Sequence, residues 1–131
     1  MTARVELSVA SVQVKPWGQE TIFAAGEDGY VGKLIAVTAG DALSLQYHDE
    51  KDETISIVSG EARLDHGPSA DLLESCVMRP GDTAHIPPTV VHRITAVSDL
   101  VFAEASTAPA GWREDVVRLS DRYGRSGSSN P

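Results

Sequence analysis

Along most of this chain apolar and polar residues alternate with a period of two. Val5, Leu7 and Val9 alternate with polar neighbours, Leu43, Leu45 and Tyr47 alternate with Ser44, Gln46 and His48, and Ile55 and Ile57 continue the habit. Successive side chains of a strand point to opposite faces, so this period predicts short strands with one face turned to a core. Turn-forming residues punctuate the runs: Lys15-Pro16-Trp17-Gly18, Gly26-Glu27-Asp28-Gly29, Ala39-Gly40-Asp41, Ser59-Gly60, Arg79-Pro80-Gly81-Asp82 and Ile86-Pro87-Pro88. Many short strands so divided predict an all-β sandwich or barrel. No helix-period segment of any length appears; Leu72 to Glu74 reads as a turn, and Glu114 to Leu119 fits either strand or helix. The stretch Asp65 to Asp71 reads as an exposed loop. One domain is expected over residues 1–125, with a small, polar, disordered tail over 126–131. Two Gly-to-His segments, at 40–60 and 81–92, suggest a loose duplication into two hairpin halves.

Composition narrows the function classes. The chain has 131 residues, 41% hydrophobic and 23% charged, enough for one modest core. No apolar run approaches the roughly 20 residues that cross a bilayer, and Arg4 precedes no apolar signal core, so neither a membrane span nor an export signal is expected. Cys76 is the only cysteine; an internal disulfide is excluded, the thiol is expected to be inert and buried, and a cytoplasmic location fits. The net charge of −8 argues against nucleic acid, which needs clustered Lys and Arg. A small anionic substrate stays open, because a few local cations can dominate a pocket.

The candidate chemistry follows from parity. Ser44, Gln46 and His48 share one strand face, and Glu53 follows after a turn. His92 lies just past the stiff Ile86-Pro87-Pro88-Thr89 turn. Together they offer an amide oxygen, two imidazole nitrogens and a carboxylate, a set suited to Zn, Mn, Fe, Ni or Co with coordination positions left for substrate or water. The competing reading is a barrel lining that satisfies itself by hydrogen bonds. Arg93 should point away from the face of His92 unless a bulge intervenes. Glu104 interrupts the apolar run Val101 to Ala105; it is either desolvated inside the barrel and suited to proton shuttling, or paired with a cation at the rim. His85 either lines the cavity or packs.

The spacing resembles two motifs of a known superfamily. Gly40, five residues, Gln46, one, His48, four, Glu53, six, Gly60 resembles the first cupin motif, G-x5-H-x-H-x3,4-E-x6-G, with Gln in place of the first His. Gly81, five residues, Pro87 and then His92 resembles the second, G-x5-P-x-G-x2-H, with Thr89 where Gly is usual. The Gln substitution, Lys15-Pro16-Trp17-Gly18, Lys33 to Val37, His92-Arg93, Asp115 to Leu119 and Asp121 to Arg125 are similar to the small type II mannose-6-phosphate isomerase cupin, over roughly residues 14 to 125. The resemblance implies a jelly-roll barrel (a double-stranded β-helix). It also implies one divalent metal per chain, zinc foremost, held by Gln46, His48, Glu53 and His92. It further implies a metal-dependent aldose–ketose isomerase of a sugar phosphate. Lys33, Lys51, Ser44 and Arg93 are then the candidate substrate contacts, and Glu104 and His85 the candidate acid–base groups. Asp49, Glu50 and Asp52 make the mouth acidic, an unusual setting for a phosphate. Two other readings stay open: an oxygenase, lyase or cyclase on the same metal barrel, and a non-catalytic sugar or metabolite binder. A homodimer is expected, with the Val5 to Val14 segment as an exchanged strand.

Overall fold

The computed structural model describes residues 3–125, so the tail expected over 126–131 lies outside the described residues. Within them are β1 (Ser11–Lys15), β2 (Gly18–Ala25), β3 (Tyr30–Val37), β4 (Leu45–His48), β5 (Glu53–Ser59), β6 (Ala62–Gly67), β7 (Glu74–Met78), β8 (Thr83–Ile86), β9 (Val91–Ala96), β10 (Leu100–Thr107) and β11 (Val116–Ser120). The only helical element among them is the 3-10 turn Trp112–Glu114, and no helix is long and apolar enough to cross a membrane. The strands form two antiparallel sheets, β1-β2-β3-β10-β5-β8 and β11-β4-β9-β6-β7. Late strands lie between early ones, β10 between β3 and β5 and β9 between β4 and β6. The alternating pattern predicts an all-β sandwich or barrel, and that interleaving makes it the jelly roll that the family resemblance implies.

What positions the site is a change of chemistry along each inward-facing row. On β3 the row runs Lys33, Ile35, Val37; on β5, Glu53, Ile55, Ile57; on β9, His92, Ile94, Ala96; on β10, Ser106, Glu104, Phe102, Leu100. The strand registers align these changes, with Glu104 opposite Lys33 and Ser106 opposite Glu53. One end of the barrel is therefore an apolar core, including Trp17, Leu64, Met78 and Ile86 besides those rows, and the other end a polar chamber. Each fully buried Ile or Phe contributes about 1.5–3 kcal/mol. The apolar end thus holds the sheets together, while the polar end costs stability and needs its own pairing.

Two turns show how the spacing is enforced. Gly60 has φ +83°, and a Cβ there would stand 2.1 Å from the Asp99 carbonyl oxygen, so no other residue fits. Thr89 takes φ 72° although it is β-branched, and its amide donates to the His48 carbonyl at 2.7 Å. The motif position that usually carries Gly is left-handed here as well, with strain of order 1 kcal/mol or more stored beside the site.

Four local expectations change. Residues 3–10 form no strand, and Val5, Leu7 and Val9 are 82, 93 and 95% exposed; the alternation is real but has nothing in this chain to pack on. The strand begins at Ser11 and pairs with β2, so Val12 and Val14 are committed to their own sheet. Asp65, His66 and Gly67 belong to β6 rather than to a loop. Cys76 lies exposed on the edge strand β7, because no strand beyond it covers that end of the sheet.

Candidate metal centre

The two sheets bring their polar ends face to face. Gln46 and His48 project from β4, and Gln46 is the register partner of His92 on β9. Glu53 comes from β5 in the opposite sheet. His92 Nε2 lies 3.1 Å from Glu53 Oε1, and His48 Nε2 lies 3.8 Å from the same oxygen. One ligand atom from each of these three residues falls within 4.8 Å of the others, and all three residues are buried. Gln46 Oε1 accepts from Ser44 Oγ at 2.6 Å, which fixes the amide on the same face and leaves a carbonyl lone pair for another partner.

The donors are chemically prepared for a cation. His92 Nδ1–H donates to the Val90 carbonyl at 3.0 Å, leaving Nε2 as the inward nitrogen. Neither ring nitrogen of buried His48 has a hydrogen-bond partner among the described residues. Its Nδ1 lies 3.9 Å from Asp115 Oδ2, where an outer carboxylate would orient it. Burial pushes the His48 imidazole down to about 4 against the pull of Glu53, so it is neutral at pH 7. Burial opposes the Glu53 charge, but the His92 hydrogen bond and Lys51 outweigh it and hold the carboxylate ionised. Burial likewise opposes the His92 charge, yet its bond to Glu53 raises it, so a metal would displace a proton there. A neutral orphaned imidazole and an ionised carboxylate, both desolvated, fit a divalent cation of the zinc, manganese or iron kind.

Beyond the ligands runs a ladder of buried charge. Lys33 and Lys51 are each 1% exposed. Lys33 Nζ pairs with Glu20 at 2.8 Å; Lys51 Nζ reaches Glu104 at 3.0 Å and Glu53 at 3.5 Å. Both ammonium groups lie near the Trp112 ring, at 5.3 and 6.0 Å from its centroid. Glu104 is therefore both desolvated and paired. Its carboxyl is raised by burial and by Glu53, against the counter-pull of Lys51 and Lys33. The ladder, together with Ser44, Gln46 and His48, lines a partly open cavity of about 30 Å³. Arg118 of β11 and Arg125 close its far side, and Arg125 is held by two hydrogen bonds to Asp121, at 2.8 and 3.0 Å.

Eight of the ten expected site residues share this chamber: Gln46, His48, Glu53, His92, Ser44, Lys33, Lys51 and Glu104. His85 and Arg93 do not. His85 is on the outward face of β8 with its side chain 59% exposed, 2.6 Å from Asp52, at a surface depression that Glu53 and Ser106 also line. Ile86 takes the inward position, so an acid–base role for His85 loses its geometry. Arg93 follows strand parity to the face opposite His92, where no bulge rescues it, and its guanidinium binds Asp65 at 3.2 Å; a substrate contact from Arg93 loses its geometry too. The residues that sequence reasoning missed are Glu20, Trp112, Arg118 and Arg125. Glu20 was readable, since parity puts it on the Ile22 face. Trp112 carries no periodic signal, because it sits on a single 3-10 turn after a loop.

The outer pairing gives a pH expectation. Burial would raise the Asp65 carboxyl, but hydrogen bonds from Ser75 and Arg93 and the charge of Arg63 outweigh it and hold it below its usual value of 3.8. A depressed carboxyl adds stability above its unfolded value, and that stability is lost as pH falls through the lower folded value. Acid unfolding followed by circular dichroism should therefore lose a component below pH about 3.8 that Asp65→Asn lacks at every pH. Superimposable normalised profiles would remove Asp65 from the account.

Comparison with known proteins fits this architecture. Residues 3–121 match the family model described as mannose-6-phosphate isomerase C-terminal. The chain belongs to that family. Among curated relatives, the xanthan biosynthesis protein XanB of Xanthomonas campestris pv. campestris is 32% identical over 85% of this chain and 23% of its own length. The mannose-1-phosphate guanylyltransferase ManC of Salmonella typhimurium is 31% identical over 85% of this chain and 22% of its own. The chain thus spans less than a quarter of the length of these relatives. Among solved structures, the capsular polysaccharide assembling protein CapF of Staphylococcus aureus superposes with a TM-score of 0.74 at 18% identity, over 88% of this chain and 33% of its own. Oxalate decarboxylase OxdC of Bacillus subtilis superposes with 0.69 at 21% identity, over 83% and 30%. These likenesses show the fold, a small cupin jelly roll.

Proposed function

We propose that the chamber is the active site of a metal-dependent aldose–ketose isomerase acting on a mannose-6-phosphate type of sugar phosphate. The observation that carries this reading is the convergence of His48, Glu53 and His92 on one buried point, with Glu104 and Lys51 beside them. A divalent metal held by Gln46, His48, Glu53 and His92 would supply Lewis-acid polarisation of the substrate's C1 and C2 oxygens. The chain's own groups do the rest. Glu104 takes the proton from C2 and returns it to C1, while a hydroxyl proton passes between the two oxygens; no oxidant or co-reactant is needed. Lys51, hydrogen-bonded to Glu104 Oε2, keeps part of the carboxyl ionised and able to accept that proton. Ser44 and Lys33 would contact the sugar hydroxyls or the phosphate end. The cavity's 30 Å³ accommodates about one or two waters. A hexose therefore needs the lining of the chamber to rearrange, and Arg118 and Arg125 at its far side would meet a substrate anion. We further propose a homodimer and a cytoplasmic setting.

The test follows the proton. Incubated with mannose 6-phosphate in D2O and its metal, the protein should exchange the C2 hydrogen and form the ketose, both visible by NMR. Glu104→Gln should slow exchange by about 100- to 10,000-fold with metal content unchanged. Turnover no better than that of the chelator-treated protein, with each metal tried, would overturn the isomerase reading. Binding of the sugar without exchange would leave the binder reading in its place.

A further inference from the structure

At the metal end of the first sheet the strand ends form a rim. Tyr30 opens β3, Glu53 and Thr54 open β5, His85 stands next to last in β8, and Ser106 and Thr107 end β10. Register draws them together, with Thr107 opposite Tyr30, Ser106 opposite Glu53 and Thr54 opposite His85. With Asp52 they line one shallow, open depression of about 280 Å³. At about 4.8 Å between strands, the three steps from β3 through β10 and β5 to β8 span about 14 Å, room for one or two sugar-sized rings. The polar atoms here are held but not used up. The Asp52 N–H donates to Thr107 Oγ1 at 3.0 Å, and Asp52 Oδ1 shares a 2.6 Å hydrogen bond with His85 Nε2. Both side chains are thereby fixed, with Asp52 Oδ2 and His85 Nδ1 left for another partner. Ser106 is more than nine-tenths buried, yet its Oγ has no hydrogen-bond partner among the described residues, and a buried hydroxyl normally finds one.

We infer that this rim depression is a binding subsite for a neutral sugar ring. The lining selects that chemistry. No Lys or Arg lines it, and Asp52 and Glu53 do, so a phosphate or carboxylate would be repelled. A bare calcium ion takes six to eight oxygens, more than one exposed carboxylate and a few hydroxyls supply. An apolar ligand would leave a carboxylate, an imidazole and the hydroxyls of Thr54, Ser106 and Thr107 without partners. A polyhydroxyl ring satisfies them: its hydroxyls donate to Asp52 Oδ2 and exchange hydrogen bonds with His85 Nδ1 and Ser106 Oγ. Its C–H face then lies against Tyr30, a half-exposed ring at the edge of the depression. The acidic mouth formed by Asp49, Glu50 and Asp52, unusual for a phosphate, suits a neutral ligand. The depression and the 30 Å³ cavity share no lining residue. A sugar held at the rim therefore lies beside the chamber rather than in it, and needs neither a free carbonyl nor the metal.

NMR titration of the full, isotope-labelled, chelator-treated chain with methyl α-mannoside, methyl α-glucoside and methyl α-galactoside tests it. The blocked anomeric carbon of these glycosides prevents ring opening, so turnover does not enter the measurement. At least one of them should shift the backbone amides of Thr54, His85, Ser106 and Thr107, with a dissociation constant in the millimolar range expected of a shallow site. His85→Ala and Ser106→Ala should each weaken that binding about 3- to 10-fold, and Asp52→Asn about tenfold or more, with metal content unchanged in all three. Arg63→Ala, on the outer face of the other sheet, should leave binding as it is. Thermal melts by circular dichroism identify a variant that fails to fold; if Ser106→Ala does, exposed His85 carries the test. No shift at these amides with any of the three glycosides at tens of millimolar would overturn the proposal. So would binding that survives both His85→Ala and Asp52→Asn, or inorganic phosphate or calcium that shifts the same amides at lower concentration. A chain that binds glycosides at the rim without isomerising a sugar phosphate keeps this subsite, and one that isomerises but binds none there loses it alone.

Discussion

Purified and freed of loosely held ions, the protein should carry about one divalent metal per chain, and the Gln46→Ala, His48→Ala, His92→Ala triple variant none. The expectation rests on what the donors lack as much as on where they are. A buried imidazole ordinarily satisfies at least one nitrogen, and His48 satisfies neither among the described residues. Its nearest neighbours, Glu53 and His92, point their own donor atoms at the same spot. Single ligand substitutions should cost more than the 10- to 100-fold in affinity that loss of an outer-sphere partner costs. His48→Ala and His92→Ala should therefore each weaken binding at least about 100-fold, read by competition with a chromophoric chelator. Affinity should fall as pH is lowered, because His92 must give up the proton that Glu53 helps it keep. Elemental analysis that finds no metal, even after reconstitution with Zn, Mn, Fe, Ni and Co, would reduce the four residues to a self-satisfied barrel lining. The identity of a metal that is found separates redox-silent zinc from iron or manganese, and with it an isomerase from an oxygen-using relative of the same barrel.

How much of this could be read from the sequence depends on whether a position obeys a local rule. Gln46, His48 and Ser44 share a face because strand parity is geometric, and Gly60 holds its place because no Cβ fits beside Asp99. The same parity sent Arg93 outward, so the strand rule was a better guide there than family likeness. His85 shows the limit of reasoning by neighbourhood: one residue before a buried Ile, it faces solvent. Val5 to Val9 shows another limit. Alternation reports which residues could form a strand, not whether a partner edge exists within the chain. The ladder from Glu20 to Glu104 joins β2, β3, the loop before β5, and β10. No pattern within one strand encodes such a pairing, and only the sheet order reveals it.

Lys51 sits where that ladder meets the metal ligands, and Lys51→Met should be the most destabilising single change in the chamber. The ammonium lies 3.0 Å from Glu104 and 3.5 Å from Glu53, at 1% exposure. Glu104 and Glu53 raise its pKa by more than burial lowers it, so it stays charged. Removing one partner of a buried pair strands the other, at a typical cost of 3–5 kcal/mol. Here Glu104 loses its hydrogen-bonded partner, and Glu53 keeps only its bond to His92. The pH dependence has a definite sign. Glu104 already has a raised folded pKa against its ordinary 4.5, and loss of Lys51 raises it further. A carboxyl of that kind gives its full stability below the unfolded value and loses it as pH rises through the folded one. Urea unfolding of the metal-free variant should therefore show a penalty that is smallest near pH 4.5 and grows towards neutrality. Adding Glu104→Gln to Lys51→Met should recover part of the loss, because the amide buries no charge. Bound metal should reduce the penalty as well, since its charge compensates Glu53 directly. A penalty under about 1 kcal/mol, or one flat with pH, would mean that water reaches these groups in solution more freely than their burial implies.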